Sequence, residues 1–156
     1  KPSEKTLKTV TETMVKSLKL LGIKTPKIAF LSASELVMEN MESTIVAQNL
    51  KEWAEENIQD AFFSGPLALD LIISREAALK KGMKNDPVVG QSNGIVVPEI
   101  VSGNTLYKSL VYFAGGCAAG IVLGAKVPVL LTSRADPPEA RLASIALASI
   151  LSNDIF

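Results

Sequence analysis

The sequence predicts an α/β protein in which helices cover both faces of a mainly parallel sheet, a three-layer α/β/α architecture. Amphipathic helix patterns alternate with short apolar runs along the 156-residue chain. Such alternation favours parallel strands joined by right-handed crossovers. The composition agrees, because 47% of the residues are hydrophobic and only 5% are aromatic. A chain of this length can bury one ordinary core.

The first predicted element is an amphipathic helix between Ser3, a suitable N-cap, and Gly22, a suitable stop. Apolar side chains recur between them at spacings of three and four residues, which places them on one helix face. These residues are Leu7, Val10, Met14, Leu18 and Leu21.

Strands and helices then alternate to the end of the chain. Apolar runs predict strands over residues 27–32, 59–64, 94–98, 120–124 and 127–132. Helical spacing and capping residues predict helices from residue 43, over residues 74–81, from Ser102 or Asn104 through Phe113, and from residue 138 to before residue 153. Because ligands gather at the carboxyl ends of parallel strands, the residues directly after each strand are the candidates for a site.

Composition excludes several classes of function. Sixteen Lys and Arg balance sixteen Asp and Glu, so no net field attracts a nucleic acid or an anionic membrane. The chain has no histidine, which excludes Ser-His-Asp triads and histidine metal sites within it. Cys117 is the only cysteine; it cannot form an internal disulfide, fits a reducing compartment, and is predicted to be buried and inert. No membrane span or secretory signal is visible, and we expect a cytoplasmic protein.

Four segments follow predicted strands: residues 32–34, 65–70, 98–99 and 132–136. The last is the richest, because Arg134 can hold phosphate oxygens, Ser133 can donate to an oxyanion, and Asp136 can exchange a proton. A helix N-terminus, which favours anions, follows directly. The alternative from spacing alone is that Ser133 or Asp136 caps this helix and that Arg134 forms a surface ion pair.

Residues 97–114 resemble the VP-x(4)-GN-x(2)-YK signature of the phosphate acetyl/butyryl transferase family, with Val97-Pro98, Gly103-Asn104 and Tyr107-Lys108 at its fixed positions. Residues 118–136 continue the likeness in the butyryl-type form, and residues 65–70 are similar to the same branch. The resemblance covers nearly the whole chain. It implies a two-domain α/β/α enzyme of the isocitrate/isopropylmalate dehydrogenase-like fold, with its active site between the domains.

The resemblance also implies roles for single residues. Ser133 and Arg134 match a serine-arginine pair of the active site in the acetyl branch. That branch uses an aspartate six residues beyond the arginine, where this chain has Ala140, so the general base does not carry over. Asp136 is our candidate in its place, with Glu139 as the alternative. The residues expected to contact substrate are Thr132, Arg134, Asn104 and Ser32.

The resemblance predicts an acyltransferase that moves a short-chain acyl group, butyryl or acetyl, between coenzyme A and inorganic phosphate without a metal or a cofactor. Residues 1–156 would be its second domain, with residues 133–156 returning to a missing N-terminal domain, in a homodimer. The chain begins at Lys1 without methionine, and we expect it to be part of a longer protein. One alternative is a non-catalytic half that only binds coenzyme A or packs against another chain. The other is a decarboxylating dehydrogenase, for which the sequence offers neither metal-binding aspartates nor a nucleotide motif.

Overall fold

The computed structural model describes residues 1–134 and 136–152. The chain divides into two compact units, Lys1–Gly103 and Asn104–Phe156. The helices of the described residues are α1 (Glu4–Leu20), α2 (Glu42–Asn57), α3 (Leu69–Ile73), α4 (Arg75–Lys80), α5 (Ile100–Tyr112) and α6 (Pro138–Leu151). The strands are β1 (Lys27–Leu31), β2 (Phe62–Leu67), β3 (Gly94–Val96), β4 (Ile121–Val122) and β5 (Val129–Leu130). The boundary between the units falls within α5.

The first unit is built on a parallel sheet with strand order β2-β1-β3. Side chains alternate between the two faces of the central strand β1. Ile28 and Phe30 belong to a core that includes residues of α1 and α2, whereas Ala29 belongs to a second core that includes residues of α3 and α4. Helices therefore lie on both faces of the sheet, which confirms the predicted three-layer α/β/α class.

Helix α1 begins and ends as predicted, but its buried face is rotated. The Ser3 hydroxyl accepts a hydrogen bond from the Thr6 amide, and Gly22 adopts a φ of +91°, which favours glycine. Thr11 is fully buried and its hydroxyl donates to the Leu7 carbonyl at 2.8 Å, while Val10 is 41% exposed. Because the threonine hydroxyl is satisfied inside the helix, its methyl group can pack in the core.

Strand β2 differs from its predicted bounds, because it begins at Phe62 and runs through Gly65 and Pro66. The sequence rule that a Gly-Pro pair ends a strand fails here. Among the described strands β2 pairs only with β1, at the edge of the sheet, and an edge strand tolerates the loss of one proline amide donor. Helix α3, with five residues, was too short to show a helical period.

Helix α5 begins at Ile100, not at the predicted caps Ser102 or Asn104. The Glu99 carboxylate accepts hydrogen bonds from the amides of Val101 at 2.7 Å and Ser102 at 2.6 Å, and also from the Ser102 hydroxyl. The hydrogen bonds from the Ser102 side chain and amide, and then from the Val101 amide, lower the pKa of Glu99 below its ordinary value of 4.5. A glutamate before the helix thus satisfies the first amide groups.

This cap predicts a pH-dependent stability. Because the pKa of Glu99 is lower in the folded state, its stabilising effect is complete above pH 4.5 and is lost as the pH falls through the lowered folded value. We expect Glu99→Gln to reduce the melting temperature at pH 7 and this reduction to shrink on acidification below pH 4.5. Thermal melts between pH 3 and pH 7 measure both effects. Glu12→Gln, at an exposed position of α1, is the control, and an equal pH response in the two variants would exclude the cap.

The second unit contains a short antiparallel hairpin of β4 and β5, with Ile121 opposite Leu130 and Val122 opposite Val129. The sequence predicted both strands, but their pairing is not parallel. Only residues 123–128 connect them, and a parallel pair needs a crossover of a dozen or more residues. Within the described part of the chain, no helix is both long and apolar enough to cross a membrane.

Candidate functional site

The candidate site is the turn between β5 and α6, which carries Ser133, Arg134 and Asp136. The hairpin before it is extended by a hydrogen bond from the Leu131 amide to the Gly120 carbonyl at 3.1 Å. A side chain at Gly120 would meet this carbonyl, because an added Cβ atom would lie 2.2 Å from the Leu131 oxygen. The turn therefore starts from a closely packed pair of strands.

Ser144 of α6 joins the helix to the hairpin. Its hydroxyl oxygen accepts a hydrogen bond from the Gly120 amide at 3.0 Å and donates to the Ala140 carbonyl at 2.8 Å. The residue is fully buried. Both ends of the candidate turn are consequently held by elements that are bonded to each other.

The turn itself is closed by two hydrogen bonds between the same pair of residues. The Asp136 amide donates to the Ser133 carbonyl at 3.1 Å, and the Ser133 amide donates to Asp136 Oδ2 at 2.6 Å. Pro137 is the N-cap residue of α6 and makes no side-chain capping bond. The Asp136 carboxylate thus bonds back to Ser133, which argues against the alternative that it caps the helix.

Arg134 lies inside this closed turn and is exposed. In the part of the chain that the structure describes, its guanidinium makes no hydrogen bond or ion pair. The surface ion pair considered from the sequence is therefore not formed among these residues. Thr132 is also exposed, while Ser133 is half-buried. The arrangement leaves the arginine fork available to a ligand anion.

An open cleft of about 440 Å³ adjoins the turn within the second unit. Its lining includes Asp136, Glu139 and Ala140. The two carboxylates weighed as general bases therefore border the same space as Ala140, the position where the acetyl branch is expected to have an aspartate. Ala140 itself is 2% exposed.

Cys117 also lines this cleft and is exposed. The prediction of a buried thiol was wrong, because its small neighbours lie in a mostly exposed segment between α5 and β4 that forms neither helix nor strand. Among residues 1–134 and 136–152, no group of three or more His, Cys, Asp or Glu side chains is placed to hold a metal ion.

Ser32, the other strand-end candidate, belongs to the first unit and is 7% exposed. Its amide continues the pairing of β1 with β2 by donating to the Leu67 carbonyl at 2.8 Å. Its hydroxyl lies 2.9 Å from the Ser43 hydroxyl in the first turn of α2. Sequence reasoning missed this partner, since nothing local marks Ser43. Asn104, in the second unit, is exposed on α5. Ser32 is thus not in the same unit as the turn, whereas Asn104 is.

The segment of residues 65–70 ends at Asp70, whose carboxylate forms an ion pair with Lys81. The Lys81 ammonium lies 3.4 Å from Asp70 Oδ2 and 3.3 Å from Glu35 Oε1. Partial desolvation lowers the pKa of Lys81, but the hydrogen bonds to Glu35 and Asp70 outweigh it and raise the pKa above its ordinary value. The two carboxylates stabilise the charged form of Lys81, and this ion pairing favours a structural role for Asp70.

The Tyr107-Lys108 pair of the signature differs from its prediction. Adjacent residues of a helix do not share a face, which predicts Tyr107 in a core and Lys108 in solvent, but both are half-buried. The Lys108 ammonium lies 5.1 Å from the ring centre of Tyr107 and 5.7 Å from that of Tyr112. A flexible lysine stem lets the charge reach the aromatic faces of its neighbours on the helix.

The model of one protein family, described as phosphate acetyl/butaryl transferase, matches residues 1–149. A probable phosphate butyryltransferase of Bacillus subtilis is 41% identical over 98% of this chain and 51% of its own length. A phosphate acetyltransferase of Thermotoga maritima is 40% identical over 90% of this chain and 48% of its own. The chain spans about half the length of the curated relatives it matches.

Solved structures show the same likeness. The crystal structure of a branched-chain phosphotransacylase from Enterococcus faecalis matches 96% of this chain and 53% of its own chain, with a TM-score of 0.85 and 39% identity. A phosphotransacetylase from Streptococcus pyogenes, 23% identical with a TM-score of 0.70, agrees in fold.

Proposed function

Because the chain belongs to the phosphate acetyl/butaryl transferase family, we propose that the protein of which it forms part transfers a short-chain acyl group between coenzyme A and inorganic phosphate. The observation that carries this proposal is the closed turn of residues 133–136, in which Arg134 is exposed between a strand end and a helix start. The family supplies the reaction, and the turn supplies a group that can hold its phosphate.

The proposed forward step is an acyl transfer at a thioester. An oxygen of phosphate attacks the carbonyl carbon of acyl-CoA, a tetrahedral oxyanion forms, and the carbon–sulfur bond breaks. The electron pair leaves with coenzyme A as the thiolate, and the product is an acyl phosphate. Oxidation states do not change, so the step as written needs no redox cofactor, and we propose that it uses no metal.

Arg134 would hold two phosphate oxygens and place the third toward the thioester, which supplies orientation and charge compensation. Ser133 would stabilise the oxyanion through its hydroxyl, and its amide donates to Asp136 at 2.6 Å, which holds the residue in the turn. Thr132, which directly precedes Ser133 and is exposed, would contact the phosphate. Asn104 and Ser32 would contact other parts of the substrates.

In the reverse direction a carboxylate would take the proton of the coenzyme A thiol, whose unperturbed pKa is about 8.5. Asp136 is our proposed base, with Glu139 as the alternative. Their shared position at the cleft beside Ala140 supports either choice. The two are separable by the pH dependence of kcat in Asp136→Asn and Glu139→Gln variants, because only loss of the true base removes the dependence on that group.

The assay that tests the proposal is release of free thiol from butyryl-CoA, propionyl-CoA and acetyl-CoA, with and without inorganic phosphate, by the full-length gene product. We expect release that depends on phosphate, fastest with butyryl-CoA. Thiol release at the same rate without phosphate, or none with any of the three, would refute an acyl transfer to phosphate.

The same assay on residues 1–156 alone addresses the second candidate, a non-catalytic half that binds coenzyme A or packs against another chain. The length of the chain, about half that of its relatives, favours this outcome for the isolated piece. Thiol release by the full-length protein only, together with coenzyme A binding by residues 1–156, would support it.

The proposal extends to the rest of the protein. We propose that residues 1–156 form the second domain, that residues 133–156 return to an N-terminal domain outside this chain, and that the whole protein is a homodimer in the cytoplasm. Helix α6 supports this, because Leu142, Ile145 and Ile150 are 68%, 54% and 47% exposed and so leave apolar surface for a partner. The single cysteine of the chain is consistent with a reducing compartment.

A further inference from the structure

We infer that Asp136 is a positioning residue: its carboxylate fixes the turn that presents Arg134 to phosphate. The effect of this positioning on catalysis rests on the proposed function. The positioning role is distinct from a role of Asp136 in proton transfer. The carboxylate oxygen Oδ2 accepts the Ser133 amide at 2.6 Å. A charged acceptor at this distance makes a strong hydrogen bond.

The bond between the Ser133 amide and the Asp136 carboxylate closes the turn that contains Arg134. Ser133 and Asp136 are joined twice, through the carboxylate and through the bond from the Asp136 amide to the Ser133 carbonyl at 3.1 Å. Arg134 lies between the two joined residues. A turn that loses the carboxylate bond has more conformations available, and each added conformation lowers the fraction in which the guanidinium is correctly placed.

The supports on either side of the turn would magnify the effect of this bond. The hairpin and α6 are joined through buried Ser144, so the chain before and after the turn is held in place. The Asp136 carboxylate adds a restraint within the turn itself, through its bond to the Ser133 amide. Asp136 therefore acts on phosphate through Arg134.

Two substitutions separate this role from that of a base. Asparagine at position 136 keeps an oxygen that can accept the Ser133 amide but cannot take a proton at neutral pH, whereas alanine removes both functions. We expect Asp136→Ala to raise the KM for phosphate about tenfold, and Asp136→Asn to leave that KM within about twofold of wild type, whatever happens to kcat. Glu76→Ala is the control, since Glu76 is exposed and pairs with Lys80 at 2.6 Å.

A second measurement does not depend on activity. Arg134 is exposed, so trypsin can cut the peptide bond that follows it, and a looser turn is cut faster. We expect Asp136→Ala in the full-length protein to increase the rate of this single cut, identified by mass spectrometry, and Asp136→Asn to remain near wild type.

The outcomes are distinct. Wild-type rates of cutting in Asp136→Ala, or an Asp136→Asn variant as fast as alanine, would overturn the positioning role. An unchanged KM for phosphate in Asp136→Ala would overturn the claim that this positioning aids phosphate binding. If the wild-type protein releases no thiol with phosphate, the proposed function fails, while the rate of trypsin cutting still decides whether the carboxylate holds the turn.

Discussion

Replacing Arg134 with glutamine in the full-length protein is expected to lower kcat/KM for phosphate at least about 100-fold, which corresponds to about 2.7 kcal/mol of lost transition-state stabilisation. Glutamine retains a polar side chain of moderate length but loses the positive charge and the planar fork that grips two phosphate oxygens. The effect should be large because the guanidinium has no recorded partner in the described part of the chain, and its proposed task is to hold the ligand.

The matched control is Arg141→Gln, which removes an exposed arginine of α6 seven positions further along the chain. We expect its kinetics to stay within about twofold of wild type, since an isolated surface charge contributes little. Initial rates over a range of phosphate concentrations, with circular dichroism to verify folding, make the comparison. Near-normal kinetics in the Arg134 variant would remove this residue from the site. An equal loss in both variants would point to a general effect of net charge.

The sequence located Ser133 and Arg134 because two independent signals coincide there. The rule for the ends of parallel strands selects residues directly after the last apolar run, although β5 pairs antiparallel with β4, and the family resemblance over residues 118–136 covers the same residues. The hydrogen bond between Ser133 and Asp136 was not predictable, since serine and aspartate both also fit a helix cap. Only the backbone path decides whether the carboxylate bonds forward to α6 or back to Ser133, as it does here.

Ser144 illustrates a second limit on what the sequence can predict. A serine within an apolar helix carries no local sign of function, and its partner Gly120 lies 24 positions away. The glycine looked like a packing residue from the sequence, which agrees with the close approach of the Leu131 carbonyl. The hydrogen bond that joins the two elements depends on tertiary placement, which no spacing rule reports.

Elements of the fold were predictable where their signal is local and long. Helix α1 has seventeen residues, an N-cap and a clear period, and its bounds agree with the prediction. The direction in which β4 and β5 pair follows from the shortness of their connection, which the sequence itself contains. Strand β2 continues through Gly65-Pro66 because it is an edge strand, and position within a sheet is not encoded in the strand itself.

The core of the first unit supports the second large prediction. Phe30, on the central strand β1, is 1% exposed, and its ring is stacked on that of Phe63 with the ring centres 6.3 Å apart. We expect Phe30→Ala to reduce the free energy of unfolding by about 3–5 kcal/mol, because the substitution loses apolar burial and leaves a cavity that the sheet cannot close. Phe30 is also close to the Gly65 backbone, where an added Cβ atom would lie 2.7 Å from its own Cβ, so backbone on the neighbouring strand already occupies one side of the space.

Chemical denaturation of residues 1–156 can measure this loss through Trp53, the only tryptophan of the chain, which packs against the same core. Phe62→Ala is the control, because Phe62 neighbours Phe63 on β2 but is 46% exposed, and we expect it to cost about 1 kcal/mol or less. Losses of the same size in the two variants would mean that the Phe30 ring is not packed as described. A loss confined to Phe30→Ala would support the burial of its ring in the core that includes residues of α1 and α2.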